Sequence, residues 1–294
     1  GTAIREQTLT LYEDLPYNMM IGDPGELGEL NKAQRKAWDA YRAQDVEKFE
    51  ALGLDWRDPS KKLSRFKYQV LLRNFLAAGA GIDKNVGRIR AFLEENDLAD
   101  NTIVIYMADH GYFLGEHGFF DKRFMYEESI RTAFIVHWPG VVEKGIINDK
   151  DIVSNLDIAS TFLDVAGIEI PEQIQGQSMV SILEGKTPEN WRKTFLYTYH
   201  ELANHHVQPH YGVTDGRNKL IYYPAHNEWE FFDLKKDPSE MISQYYIPEN
   251  ETTIMELKRE LVRLRNYYHC PPSMTLRNMI KQASWPYQKW TKPL

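Results

Sequence analysis

Two short stretches hold the residues whose types and spacing could do chemistry. Ala108-Asp109-His110-Gly111 follows directly on Thr102-Ile103-Val104-Ile105-Tyr106-Met107, a nearly continuous apolar run of the kind that fills a buried parallel strand. In open parallel sheets, ligand groups gather beyond the carboxyl ends of the strands. Two adjacent side chains can aim at one point there, because the strand's alternation breaks down as the chain turns. Asp109 would bring a hard anionic oxygen to a cation and His110 a ring nitrogen, with Gly111 leaving room for the turn. An Asp at a strand end can equally cap the helix that follows. Gly115-Glu116-His117-Gly118-Phe119-Phe120-Asp121-Lys122-Arg123 then sets a cluster of charges on a glycine-bounded loop. Held near a cation, Lys122 would be a point charge suited to sulfate or phosphate oxygens. The alternative is that Lys122 and Arg123 pair with Asp121 and Glu116 on a solvated loop.

Other reactive side chains say less. His205, His206 and His210 crowd one segment, but no cysteine accompanies them and their spacing fits no zinc finger. Cys270 is the single cysteine among 294 residues, so no intrachain disulfide can form. A net charge of −7 provides no basic field for nucleic acid or an anionic membrane. No apolar stretch approaches the roughly 20 residues of a membrane-spanning helix. The aromatic content of 13% suits either a large aromatic core or a carbohydrate-handling surface.

The elements that must position these residues can be read from periodicity. A helix is plausible over Asn31–Leu52, inside an irregular opening segment broken by Pro16, Pro24 and Pro59. Lys67–Asn96 is the strongest helix: Val70, Leu71, Phe75, Ala78, Ile82, Val86, Ile89 and Leu93 recur at spacings of three and four. Ala133-Phe134-Ile135-Val136-His137-Trp138 repeats the buried-strand pattern, and Asp157–Ala166 reads as a helix closed by Gly167. Strands alternating with helices imply an α/β fold with a parallel sheet. After Trp191 the character changes to short aromatic strands at Thr194–Tyr199, Tyr211–Thr214, Lys219–Tyr223 and Glu228–Phe232, then a helix over Glu251–Tyr267. The expected division is therefore an α/β domain over 1–190 and a smaller subdomain over 191–294, a four-stranded antiparallel sheet with a helix and an irregular tail.

These stretches, in this order, carry a family resemblance. Asn101 to Gly118 resembles the second metal-binding block of the type I, formylglycine-dependent sulfatases, which share the alkaline-phosphatase-like sandwich. The continuation Phe119-Phe120-Asp121-Lys122-Arg123-Phe124-Met125-Tyr126-Glu127-Glu128-Ser129-Ile130-Arg131-Thr132 resembles the same family's active-site lysine block. Ala80–Arg88, Asn155–Leu163, Tyr211-Gly212-Val213, Asn218–Ile221 and Trp229–Pro238 agree with flanking and C-terminal pieces, so the likeness runs over about residues 65 to 268.

The resemblance implies that Asp109 and His110 are ligands of a divalent cation, usually calcium. Lys122 would contact the sulfate and the hydrated aldehyde, and His205 and His210 would lie near the mouth where a sulfated sugar enters. Many relatives have Asn or Gln where His110 stands, which leaves the metal's identity open. The nucleophile, a formylglycine made inside Cys/Ser-x-Pro-x-Arg, would lie upstream with the family's first pair of metal-binding Asp residues. Cys270-Pro271-Pro272-Ser273-Met274 imitates that motif but has Met274 where the Arg belongs. The complete enzyme would hydrolyse sulfate esters of glycans, in the periplasm or outside the cell. This chain alone would be inactive until an N-terminal half, in the same or a separate chain, completes the fold. Two other readings stay open: a phosphodiesterase or phosphatase of the same superfamily, and a non-catalytic subunit.

Overall fold

A computed structural model describes residues 32–55, 61–201 and 207–271. They fall into two compact units: one contains residues up to Asp100 together with Tyr112–Lys122, the other Asn101–Gly111 and the chain from Arg123 onward.

The first unit is built on two helices, α1 (Lys32–Ala51) and α2 (Lys61–Glu95). Helix α2 starts earlier than the expected Lys67, because Leu63 and Phe66 continue the buried stripe of Val70 back towards Pro59 at the same three-and-four spacing. Phe66 and Val70 pack with Phe49, Leu54 and Leu71, and the Phe49 and Phe66 rings meet edge to face at 5.5 Å. Arg73 binds the buried Asp45 carboxylate through both oxygens, and Tyr41 donates to Asn74 at 2.7 Å. Further along α2 the stripe is not covered: Phe75, Ile82 and Ile89 are 45, 49 and 56% exposed. The loop of this unit forms two short strands, β2 (Phe113–Leu114) and β3 (Phe120–Asp121), paired antiparallel.

The second unit opens with β1 (Val104–Met107), paired with β4 (Phe134–His137). The α/β class expected from the sequence holds, but these two strands run antiparallel to each other, Val104 opposite His137 and Met107 opposite Phe134. An apolar run specifies burial and not the direction of its neighbour, so the parallel pairing expected of them is corrected. Nor are they fully buried, since Ile135 is 61% exposed. Between them lies a single-turn helix, α3 (Glu127–Ile130). Two more helices follow, α4 (Asp157–Val165) and α5 (Val180–Leu183). The wholly buried Asp157 carboxylate accepts from the amides of Ser154 and Gln177 and from the Arg192 guanidinium, tying α4 to the chain that enters the last sheet.

That sheet is a four-stranded antiparallel meander in the order β5 (Phe195–Tyr199), β6 (His210–Thr214), β7 (Asn218–Tyr223), β8 (Glu228–Asp233). At the β6–β7 turn Gly216 adopts φ +85° while the Asp215 carboxylate accepts from the amides of Arg217 and Asn218. Helix α6 (Glu251–Tyr267) lays Ile254, Leu257, Leu261 and Leu264 against Val213, Leu220 and Phe231 of the sheet. Each such side chain contributes roughly 1.5–3 kcal/mol on burial. This core makes the meander a firm base for residues that its strands present.

Candidate active site

Asp109 and His110 leave the end of β1 on a tightly held turn. Thr132, just after α3, accepts from the Ala108 amide at 3.3 Å and donates to the Ala108 carbonyl at 3.1 Å. Gly111 donates to the Ser129 carbonyl at 2.8 Å. A Cβ at position 111 would lie 2.1 Å from the Glu128 carbonyl oxygen and 2.6 Å from that of Arg131, so only glycine fits against α3.

On this turn the Asp109 carboxylate is open to solvent and its Oδ1 lies 3.6 Å from His110 Nε2. Two donors on one cation, each about 2.0–2.6 Å from it, sit at about this separation. His110 Nδ1 is 2.7 Å from the Gly111 carbonyl oxygen. A carbonyl only accepts, so Nδ1 is the donor of this contact, and Nε2 is the ring nitrogen turned towards Asp109. One carboxylate and one oriented imidazole fit half of a metal site. Among the described residues no group of three or more His, Cys, Asp or Glu gathers as a metal site, so further ligands would have to come from elsewhere.

Lys122 closes the loop of the first unit. Its side chain is a third exposed and its ammonium lies 3.2 Å from Asp121 Oδ1. Both its neighbours have left-handed backbone, Asp121 at φ 74° and Arg123 at φ 101°. Non-glycine residues hold that conformation only where surrounding contacts impose it, and such strain concentrates at functional sites. For Arg123 the contacts are visible: its amide donates to Ser129 Oγ at 2.9 Å, and its carbonyl accepts from the Tyr197 hydroxyl at 2.6 Å. Burial pushes the Tyr197 phenol up to about 12, so it remains a donor.

His210, at the start of β6, is wholly buried. Its ring lies within 5.2–5.8 Å of the rings of Phe124, Tyr197, Tyr199 and Tyr223. Burial drives its pKa down to about 4, partly opposed by the bond from Nδ1 to the Gln208 carbonyl, so the ring is neutral. The sugar contact expected of His210 does not fit this burial, because four aromatic rings occupy its surroundings. It packs instead against Phe124, two residues beyond Lys122. His205 lies outside the described residues.

The sequence reading missed a buried polar cluster behind α3. Lys219 of β7 lies 2.8 Å from Glu127 Oε1 and 2.7 Å from Glu240 Oε1, with the side chains of Lys219 and Glu240 wholly buried. Beside it, Tyr126 and Tyr223 both donate to Glu230 Oε2, at 2.8 and 3.3 Å, and burial raises both phenols well above their ordinary range. The available signal was a lysine standing among the apolar residues of Asn218-Lys219-Leu220-Ile221.

Comparison with known proteins gives the family. A family model described as N-sulphoglucosamine sulphohydrolase, C-terminal, matches residues 115–267, and the Sulfatase model matches residues 31–168. The chain is 44% identical over 208 residues to an N-acetylglucosamine-6-O-sulfatase of Bacteroides thetaiotaomicron, covering 69% of this chain and 36% of that protein. To an arylsulfatase of Clostridium perfringens it is 31% identical over 220 residues, 69% of this chain and 44% of that protein. Among solved structures, a protein in complex with its substrate D-glucosamine-2-N,6-O-disulfate superposes with a TM-score of 0.75 at 35% identity, over 92% of this chain and 57% of that one. The chain thus spans less than half the length of these two curated relatives. By the family match over more than half its residues, and by its 44% identity to the N-acetylglucosamine-6-O-sulfatase, the chain belongs to the type I sulfatases of the alkaline-phosphatase-like superfamily.

Proposed function

We propose that this chain supplies the C-terminal part of a sulfuric ester hydrolase acting on sulfated amino sugars, with 6-O-sulfated glucosamine the substrate class. The observation that carries this is the orientation of Asp109 and His110: an exposed carboxylate beside an imidazole whose Nδ1 is engaged by the Gly111 carbonyl, so that a cation could be taken between Asp109 and Nε2. The two relatives with named sugars, one acting on N-acetylglucosamine 6-O-sulfate and one bound to a glucosamine disulfate, support the substrate class. Asp109 and His110 would hold a divalent cation, calcium by family expectation. When bound, that ion offsets the charge of a sulfate group. Lys122 would bind sulfate oxygens as a point charge, on a loop whose left-handed flanks fix where its side chain starts. His210 would pack against Phe124 rather than touch sugar.

These 294 residues contain no Cys/Ser-x-Pro-x-Arg motif. The formylglycine nucleophile and the remaining metal ligands are therefore proposed to come from an N-terminal half of the fold, in the same or a separate chain. Residues 1–294 alone are proposed to be inactive.

The test sets sulfate against phosphate. The native protein that contains this chain should release sulfate from N-acetylglucosamine 6-O-sulfate in calcium, and be far slower on the matching phosphate ester. Zinc-stimulated phosphate release without sulfate release would instead establish a phosphatase.

A further inference from the structure

Helix α3 is only four residues long, yet it bonds the residue after His110 and the residue after Lys122. Its Ser129, 3% exposed, accepts from the Gly111 amide through the carbonyl and from the Arg123 amide through the hydroxyl. Gly111 is the residue after His110, and Arg123 the residue after Lys122. A one-turn helix has no intrinsic stability, because it forms too few internal bonds to offset the fixed dihedrals. Its N-terminal amides also need partners from outside, and Tyr126, at the capping position, supplies no side-chain capping bond to them.

The partner comes from the turn that follows β8. Glu240 Oε2 accepts from the Glu127 amide at 2.6 Å, taking the role of the missing cap. Its other oxygen meets Lys219 Nζ, which also meets the Glu127 carboxylate, closing a three-cornered ion cluster around the first residue of α3. Glu240 is itself held at φ 50°, a left-handed conformation that Glu rarely adopts. Replacing such a pair with apolar residues is often neutral for stability. A geometric role therefore explains the cluster better than a stabilising one.

We propose that Lys219 and Glu240 are positioning residues for the reaction, acting through α3 to fix the backbone at Gly111 and Arg123. In this role neither side chain, both being buried, would contact substrate or metal. They set where α3 lies, and α3 sets the turn that carries Asp109 and His110 and the chain that follows Lys122. The inference rests on the sulfatase reading for the reaction it serves, while its structural half can be read without any activity.

The experiment uses the native protein with three variants: Glu240→Gln, Lys219→Met, and the two combined. The combined variant removes both charges and so avoids a lone buried ion if a single change fails to fold. Amide hydrogen exchange at Gly111 and Arg123 should accelerate at least about tenfold in the combined variant, with the β6–β7 amides as protected as before. Sulfate release should show kcat lowered on the order of 10–100-fold with KM changed little, and no matching loss of folded protein. Unchanged exchange at both amides overturns the proposal. Faster exchange with unaltered kcat overturns the positioning role. If the native protein releases no sulfate at all, the sulfatase reading fails, whereas the exchange result still decides whether the cluster holds α3.

Discussion

At the scale of single residues, His210 gives the clearest consequence. Its folded pKa, about 4, lies below the ordinary 6.5 because burial penalises the charged ring. Between those values the unfolded chain binds a proton that the folded protein refuses. Stability is therefore fully present above about pH 6.5 and is lost as the pH falls towards 4, by up to about 3 kcal/mol. Glu240 works in the opposite sense: burial raises its carboxyl to about 7, so its contribution grows as the pH falls from 7 towards 4.5. Thermal unfolding of His210→Gln beside the wild type isolates the histidine, since Glu240 is common to both. The variant should lose less stability between about pH 6.5 and 4, and parallel curves would show that His210 is not buried neutral. His210 as a residue of interest was legible in the sequence, but its burial was not. The rings that enclose it come from Phe124, Tyr197, Tyr199 and Tyr223, and no local pattern ties those positions together.

At the scale of elements, the C-terminal sheet was almost wholly legible. Alternating aromatic strands bounded by turns such as Asp215-Gly216 specify an antiparallel meander, and the apolar stripe of α6 specifies what covers it. Leu261, 2% exposed and central in that stripe, should cost about 2–5 kcal/mol as Leu261→Ala, seen as a lower denaturation midpoint with an unchanged slope. A loss under about 1 kcal/mol would mean that α6 does not hold the sheet. The β1–β4 pairing was not legible, because direction depends on chain brought from far along the sequence. Helix α3 escaped notice for a related reason: four residues are too short for periodicity, and its cap is Glu240, distant in sequence. The metal and lysine blocks stood out through their resemblance to a family. The pairing of Asp109 with His110 Nε2 needed the Gly111 carbonyl to be seen in place.

At the scale of the whole molecule, the exposed apolar side chains bear on how the chain functions. Phe75, Ile82 and Ile89 on α2, and Ile135 on β4, are more open to water than their spacing in the sequence leads one to expect. The N-terminal half proposed above would cover these faces. The most direct measurement is sulfate release from N-acetylglucosamine 6-O-sulfate by three samples: the native protein containing this chain, its Lys122→Ala variant, and residues 1–294 alone. Release by the native protein is expected, with a loss on the order of 10²–10³-fold in Lys122→Ala and nothing from the isolated residues. Equal release by the native protein and Lys122→Ala would contradict the assignment of the lysine. Release by residues 1–294 alone that disappears with Lys122→Ala would contradict the need for an N-terminal nucleophile.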